Sequence, residues 1–277
     1  MPIILDFIAG RRPPDLYQDY LSTLFEPWSD VLVDAAPPSD DVVDIACGTG
    51  IVSRKLAKQS AVRSVEAIDV APPMIEKAKS LTPTDAAITF QLASAEELPF
   101  ADNQFQAAYC QQGLQFFPNK PGALREAARV VAPGGKLAFA VWTSAGEGNP
   151  VFGAFEDIIA QDLGEDLVPF GPFSFGDLDK VRAVADEAGL NNAKIERVEC
   201  VTKLPDPRTL VLFDLLFLGR PGPDGTLQPL FDPSDPSNDH LIEDLVEKFE
   251  PAVRSYQQAD GSLLAPSAAH VLIADVS

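Results

Sequence analysis

Apolar residues recur along this chain at two periods. Leu16, Tyr20, Leu24, Trp28 and Leu32 stand four apart, the spacing of one helix face, so one or two helices are expected over residues 15–34. Residues 42–46 form a short, β-branched run bounded by Ser39-Asp40-Asp41 and by Cys47-Gly48, which predicts a strand buried on both faces. Val52, Leu56 and Ala57 then mark one face of a helix. A second strand is expected over residues 64–70, and Pro72-Pro73 suit the first turn of the helix after it. Further strands are expected at 88–92 and 105–110, followed by a helix over 121–131 with Leu124, Ala128 and Val131 on one face. Pro133-Gly134-Gly135 reads as a turn into a strand at 136–142. Strands alternating with helices in this way imply a parallel sheet joined by right-handed crossovers.

Beyond Trp142 the rhythm changes. Helices are expected at 149–164, 178–188 and 241–254, strands at 194–201 and 269–276, an aromatic loop at 169–176 and a proline-rich stretch at 221–236. The chain therefore reads as one domain, with N-terminal helices over 1–36 as a lid, a core over 37–145, and a substrate-side segment over 146–277.

With 277 residues, 46% of them hydrophobic, the chain can bury one substantial core. The apolar opening Ile3-Ile4-Leu5 is broken by Asp6 and lacks a basic flank before it, so no signal peptide is expected. The longest apolar run, residues 210–218, is interrupted by Asp214 and is too short to span a membrane. Cys47, Cys110 and Cys200 match no metal spacing, which fits a reducing cytoplasm, and no metal is called for. A net charge of −20 argues against nucleic acid and anionic membranes as partners, because both select clustered Lys and Arg. Such acidity is also a means of staying soluble at high salt. A small-molecule substrate is expected, and a homodimer is compatible with the chain.

The chemistry gathers at strand ends, where open parallel sheets bind their ligands. After the first strand stand Cys47-Gly48-Thr49-Gly50, whose glycines let the backbone turn and approach a ligand with no Cβ in the way. Asp69 closes the second strand, where a carboxylate can accept both hydroxyls of a ribose. A nucleoside-bearing ligand follows. The dinucleotide fingerprint wants a third glycine, and residue 53 is Ser, so an NAD(P)-linked oxidoreductase is the weaker reading.

Residues 44–50, Asp-Ile-Ala-Cys-Gly-Thr-Gly, resemble the first cofactor motif of class I S-adenosylmethionine (SAM) methyltransferases, with Ala46 where many members have glycine. Residues 95–100, Ala-Glu-Glu-Leu-Pro-Phe, and residues 125–142 with their Pro-Gly-Gly are similar to the small-molecule branch that includes the ubiquinone and menaquinone C-methyltransferases. The resemblance spans residues 42–142 and implies an α/β fold: a doubly wound, mostly parallel, seven-stranded Rossmann-like sheet with N-terminal helices and a C-terminal cap. It implies SAM as cofactor and S-adenosylhomocysteine as its product. Contacts to it are expected from Asp44, Ala46, Gly48, Gly50 and Asp69, from Val70 and Met74 against adenine, and from Ser94, Ala95 and Glu96. Cys110 and Gln111 would close the cofactor site after the fourth strand. Ser94 stands where the family usually has Asp, and brings no charge.

Methyl transfer needs alignment, a desolvated nucleophile and, for O–H or N–H acceptors, a route for the proton. Tyr20, Gln112 and Gln115 are the candidates for orienting the acceptor, and Gln111 and Gln115 would share a face if that segment were helical. Tyr17, Phe116 and Phe173, with Phe170 and Phe175, are the candidate substrate wall. Cys110 is read as a small buried hydrophobe, and His240 and His270 as structural or exposed. The expected function is methylation of a small apolar or aromatic metabolite at carbon or oxygen; a SAM-binding module without catalysis is the alternative.

Overall fold

The computed structural model describes residues 1–164, 171–216, 218–221 and 227–277. In chain order the elements are α1 (Ile3–Ile8), α2 (Pro13–Ala35), β1 (Asp40–Ile45), α3 (Ile51–Leu56), β2 (Val62–Asp69), α4 (Pro72–Leu81), β3 (Ile88–Leu92), β4 (Phe105–Gln111), α5 (Lys120–Val130) and β5 (Val131–Trp142). There follow α6 (Pro150–Asp162), α7 (Leu178–Glu187), β6 (Lys194–Leu204), α8 (Pro207–Leu215), β7 (Gly219–Pro221), β8 (Leu227–Pro229), α9 (Asp239–Val253) and β9 (Leu263–Asp275).

Seven strands form one sheet in the order β3-β2-β1-β4-β5-β9-β6, as the doubly wound reading requires. The neighbours from β3 to β5 are parallel: Val43 of β1 lies opposite Glu66 of β2 and Ala108 of β4, and Tyr109 of β4 opposite Ala138 of β5. Val42, Val43 and Ile45 are each at most 1% exposed, which explains the uninterrupted β-branched run. β9 pairs antiparallel with β5, Ala138 opposite Ile273. The chain lays β1, β2 and β3 outward in one direction and then returns past β1 to add β4. Strand order therefore reverses between β1 and β4, where open sheets leave a crevice at their carboxyl ends.

Local chemistry sets most element ends. Asn119 caps α5, its side-chain Oδ1 accepting the Gly122 N–H at 3.0 Å, and Asp177 caps α7 by accepting from the Asp179 and Lys180 N–H groups. Pro72 and Pro73 open α4 as expected.

Four expectations need correction. Pro133-Gly134-Gly135 does not precede β5 but bulges inside it: Phe105 faces Val131 while Ala107 faces Lys136, so the intervening residues loop out of register. Gly135 permits this, because a Cβ there would lie 2.5 Å from the Gln106 carbonyl. Helix α8, where no element is expected from the sequence, takes in residues 210–215 of the apolar run; its signals are Asp206, which caps Thr209 N–H at 3.0 Å, and Pro207 in the first turn. The proline-rich stretch holds strand β8, which pairs antiparallel with β7 at its leading edge, Arg220 opposite Gln228. Finally, Gln115 lies in a 3-10 turn over Leu114–Phe116 whereas Gln111 ends β4, so the two share no helix face.

The chain divides into two compact units, one of Met1–Leu24, Ser144–Ser174 and Glu199–Ser267, the other of Phe25–Thr143, Phe175–Val198 and Ala268–Ser277. In the first, Phe155 meets Phe249 edge-on at 5.9 Å, Phe152 lies 4.8 Å from Phe173, and Arg208 grips Glu243 through two 2.7 Å bonds. The second holds the glycine loop and the core of Phe105, Leu124, Val130, Leu137 and Phe139, each at most 1% exposed. Here the second half of α2 is tied down: Trp28 is fully buried and edge-on to Trp142 at 5.3 Å. Among the described residues no helix is long and apolar enough to cross a membrane.

Candidate active site

The loop after β1 is held by its own backbone and by Asp69. Cys47 N–H donates to the Ile68 carbonyl at 2.9 Å, and Gly50 N–H to the Cys47 carbonyl at 2.8 Å. One oxygen of Asp69 accepts from Gly48 N–H at 2.8 Å and the other from Ala71 N–H at 2.9 Å. The Val70 backbone bonds this carboxylate as well, and with about four acceptor sites it still has capacity for a further donor. Gly48 (φ +54) has nothing within 4 Å of where a Cβ would stand, so the loop leaves open space above it. Gly50 (φ +81) is enclosed, with the Arg54 guanidinium 2.9 Å and the Phe90 ring 3.1 Å from that point.

Ala46 also adopts a left-handed φ of 55°, which is why glycine suits this position; alanine there costs about 1–2 kcal/mol. Ser53, in the place of a third glycine, is fully buried and donates to Asp44 at 2.5 Å. A small residue is still needed where α3 meets the sheet, and serine adds a bond that glycine lacks.

Burial dominates the electrostatics. Asp44, 1% exposed, is pushed up to about 7 by desolvation, with the Ser53 bonds opposing and the Asp69 charge adding to the shift. Asp69 is raised by burial against the bonds from Ala71 and Gly48. The Cys47 and Cys110 thiols are pushed up by burial and by Asp44, so both stay neutral and Cys110, 0% exposed, packs as a small hydrophobe.

Across the crevice, β4 ends in three glutamines. Gln111 Nε2 donates to the Phe25 carbonyl at 3.0 Å, leaving its Oε1 buried without a partner. Gln112 holds a left-handed φ of 54° while its N–H donates to the Ala140 carbonyl at 3.0 Å. Both amide atoms of Gln112 and both of Gln115 are buried and unpartnered, as is Thr49 Oγ1. Gly113 backs onto the first loop so closely that a Cβ would lie 2.7 Å from the Ala46 Cβ. Two strained non-glycine residues and a group of orphaned polar atoms thus meet at the strand-order reversal.

The remaining candidates scatter. Val70 and Phe116 are exposed and Met74 half-buried. Ser94 Oγ accepts from Glu96 N–H at 3.2 Å, and Glu96 accepts from Asn119 N–H at 2.7 Å, while Ala95 packs in the core. Tyr17, Tyr20 and Phe173 belong to the other unit. There Tyr20 accepts from Arg11, stacks on Phe7 at 5.4 Å and meets Phe213 at 6.4 Å. Phe170 lies outside the described residues, and Phe175 packs under Lys120. His270 is buried on the Gly176 carbonyl at 2.9 Å, and His240 is exposed. Thr49, Ser53 and Arg54 carry no signal of their own in the sequence. In the first unit the half-buried Asp214, which interrupts the apolar run, and the half-buried Glu156 are both pushed up to about 7 by desolvation, with Glu156 adding to the shift of Asp214.

A glycine loop, a ribose-ready carboxylate at the end of β2 and a polar crevice between β1 and β4 fit a nucleoside with a charged amino-acid tail. Residues 43–139 match the family described as Methyltransferase domain. These residues, about a third of the chain, carry that methyltransferase domain. The chain is 32% identical over 141 residues to the 2-methyl-6-phytyl-1,4-hydroquinone methyltransferase of Synechocystis sp., covering 51% of this chain and 41% of that protein. It is 36% identical over 138 residues to the demethylmenaquinone methyltransferase of Renibacterium salmoninarum, covering 49% and 54%. The chain thus spans about half the length of these curated relatives. In fold it is similar to a phosphoethanolamine N-methyltransferase 2 of Haemonchus contortus, solved with S-adenosylhomocysteine, at TM-score 0.56 and 16% identity over 99% of this chain and 60% of that one.

Proposed function

We propose that the whole chain is a SAM-dependent methyltransferase acting in the cytoplasm on a small, apolar or aromatic metabolite at carbon or oxygen, with hydroquinones the first class to test. The observation that carries this reading is the Asp69 carboxylate. It is bound to the glycine loop through Gly48 N–H, is held from its other side by the Ala71 and Val70 backbone, and keeps acceptor capacity at the end of β2.

SAM supplies an electrophilic methyl group when bound. The chain's own task is holding, orienting and excluding water. Asp69 accepts the ribose hydroxyls, Gly48 and Gly50 admit the cofactor's amino-acid end, and Val70, Met74, Ser94, Ala95 and Glu96 receive the adenine. The Asp69 carboxylate favours a cationic cofactor over its neutral product. Gln112 and Gln115 orient the acceptor's polar end, and Phe116 is the aromatic candidate of the same unit. With both cysteines held as neutral thiols, no covalent step on sulfur is assigned.

Calorimetry with S-adenosylhomocysteine and with NAD tests the cofactor, and labelled SAM incubated with a hydroquinone panel tests the transfer. Binding of S-adenosylhomocysteine alone, with label entering at least one hydroquinone, is expected. NAD binding without S-adenosylhomocysteine binding would overturn the reading; binding without transfer would reduce the chain to a SAM-binding module.

A further inference from the structure

The four amide atoms of Gln112 and Gln115 are the least explained polar groups of the sheet-bearing unit. The residues are 6% and 7% exposed, and none of the four atoms has a hydrogen-bond partner. A buried polar atom without a partner is costly, and native proteins rarely keep several together without a use. Gln112 is also held at φ 54°, a conformation glycine would adopt without strain. A purely structural site would lose nothing by placing glycine or an apolar residue there. Retention of a strained, unsatisfied amide points to a ligand.

The chemistry of these atoms limits what that ligand carries. Each primary amide offers one acceptor oxygen and two N–H donors, and neither bears charge. A hydroxyl matches both halves, since it donates to Oε1 and accepts from Nε2. A carboxylate or phosphate only accepts, so it would leave both Oε1 atoms unpaired. It would also bring a negative charge toward the Asp69 carboxylate, whose field reaches the neighbouring Cys110 thiol. An ammonium only donates, leaving both Nε2 groups unpaired, and neutral amides give a buried cation no counter-charge.

We propose that Gln112 and Gln115 are specificity-determining residues that select an acceptor by an uncharged, hydroxyl-bearing head and reject acceptors carrying a carboxylate, phosphate or ammonium there. This rests on the methyltransferase reading, and the test separates the two. Protein saturated with S-adenosylhomocysteine is titrated under argon with three naphthalenes of one frame: 1,4-dihydroxynaphthalene, 4-hydroxy-1-naphthoate and 4-(aminomethyl)-1-naphthol. At least tenfold tighter binding of the diol than of either charged compound is expected.

Gln112→Leu and Gln115→Leu should raise the Tm, because each removes an unsatisfied amide, while weakening the diol at least tenfold. Gln112→Glu should shift preference from the diol toward the aminomethyl compound. Rescue by Gln112→Asn to within a fewfold of the diol affinity would mark the amide rather than the side-chain volume as the selector. Equal affinity for the three compounds, no measurable affinity for the diol, or leucine variants that gain stability and keep the diol would each overturn the proposal. Failure to bind S-adenosylhomocysteine at the outset would instead overturn the methyltransferase reading.

Discussion

Replacing Asp44 by Asn should stabilise the sheet-bearing unit at alkaline pH and leave it little changed in acid. Asp44 is 1% exposed and titrates at about 7 in the folded protein, against 3.8 for the ordinary side chain, chiefly because burial penalises its charge. The folded state keeps the proton up to about pH 7 and the unfolded chain releases it near 3.8. The folded protein therefore binds more protons across that window, and the stability from this group falls as pH rises through it. Three pKa units correspond to a ceiling of about 4 kcal/mol above pH 7. Asparagine keeps an oxygen for the Ser53 hydroxyl and carries no charge to bury. Urea unfolding followed by tryptophan fluorescence at pH 4.5 to 8.5 reads this directly. The chain's two tryptophans, Trp28 and Trp142, are both buried in the same unit as Asp44. Carboxylates held low by pairing, such as Glu126 beside Arg129, titrate alike in both proteins and cancel in the difference. The stability difference should widen by roughly 1–1.4 kcal/mol per pH unit between about 4 and 7 and then level off. A difference constant over the whole range would show that Asp44 ionises like any surface carboxylate.

Asp69→Ala should weaken S-adenosylhomocysteine binding by about 2–4 kcal/mol, because bonds to a charged acceptor are worth about 1.5–3 kcal/mol each and are not additive; an unchanged Kd by calorimetry removes Asp69 from the cofactor site. Gly48→Val has room for its side chain but sits at φ +54, so it should fold, with a cost of at least about 1–2 kcal/mol, and lose cofactor binding. A folded variant that binds normally would move the ligand elsewhere. With 41 acidic against 21 basic residues, Tm should climb as potassium chloride rises from millimolar to molar and the Debye length shrinks from about 30 Å to about 3 Å; a flat or falling Tm would detach the acidity from salt tolerance.

Repeating patterns decide local structure, and this chain states them plainly. The β-branched run before Cys47, Pro72-Pro73 and the four-residue spacing of Leu16 to Leu32 were enough to predict strand, helix start and helix face, since each depends on burial and backbone freedom within a few residues. The glycine pair and Asp69 could be read as one site because a parallel sheet brings successive strand ends to one edge. Pairing between distant segments could not be read. That β9 inserts antiparallel between β5 and β6, and that Val131 already pairs with Phe105 across a bulge, depends on partners far away in sequence. Environment was equally hidden. Ser53 looked like a missing glycine until its hydroxyl was found on Asp44, and Asp214 looked like a break in an apolar run until α8 buried it. The sequence places Gln111 with the cofactor and Gln112 and Gln115 with the acceptor, but nothing in it tells that only the latter two stand unsatisfied at both amide atoms. Polarity is written in the residue, but whether a polar atom is answered is set by what the rest of the chain brings to within 3 Å of it.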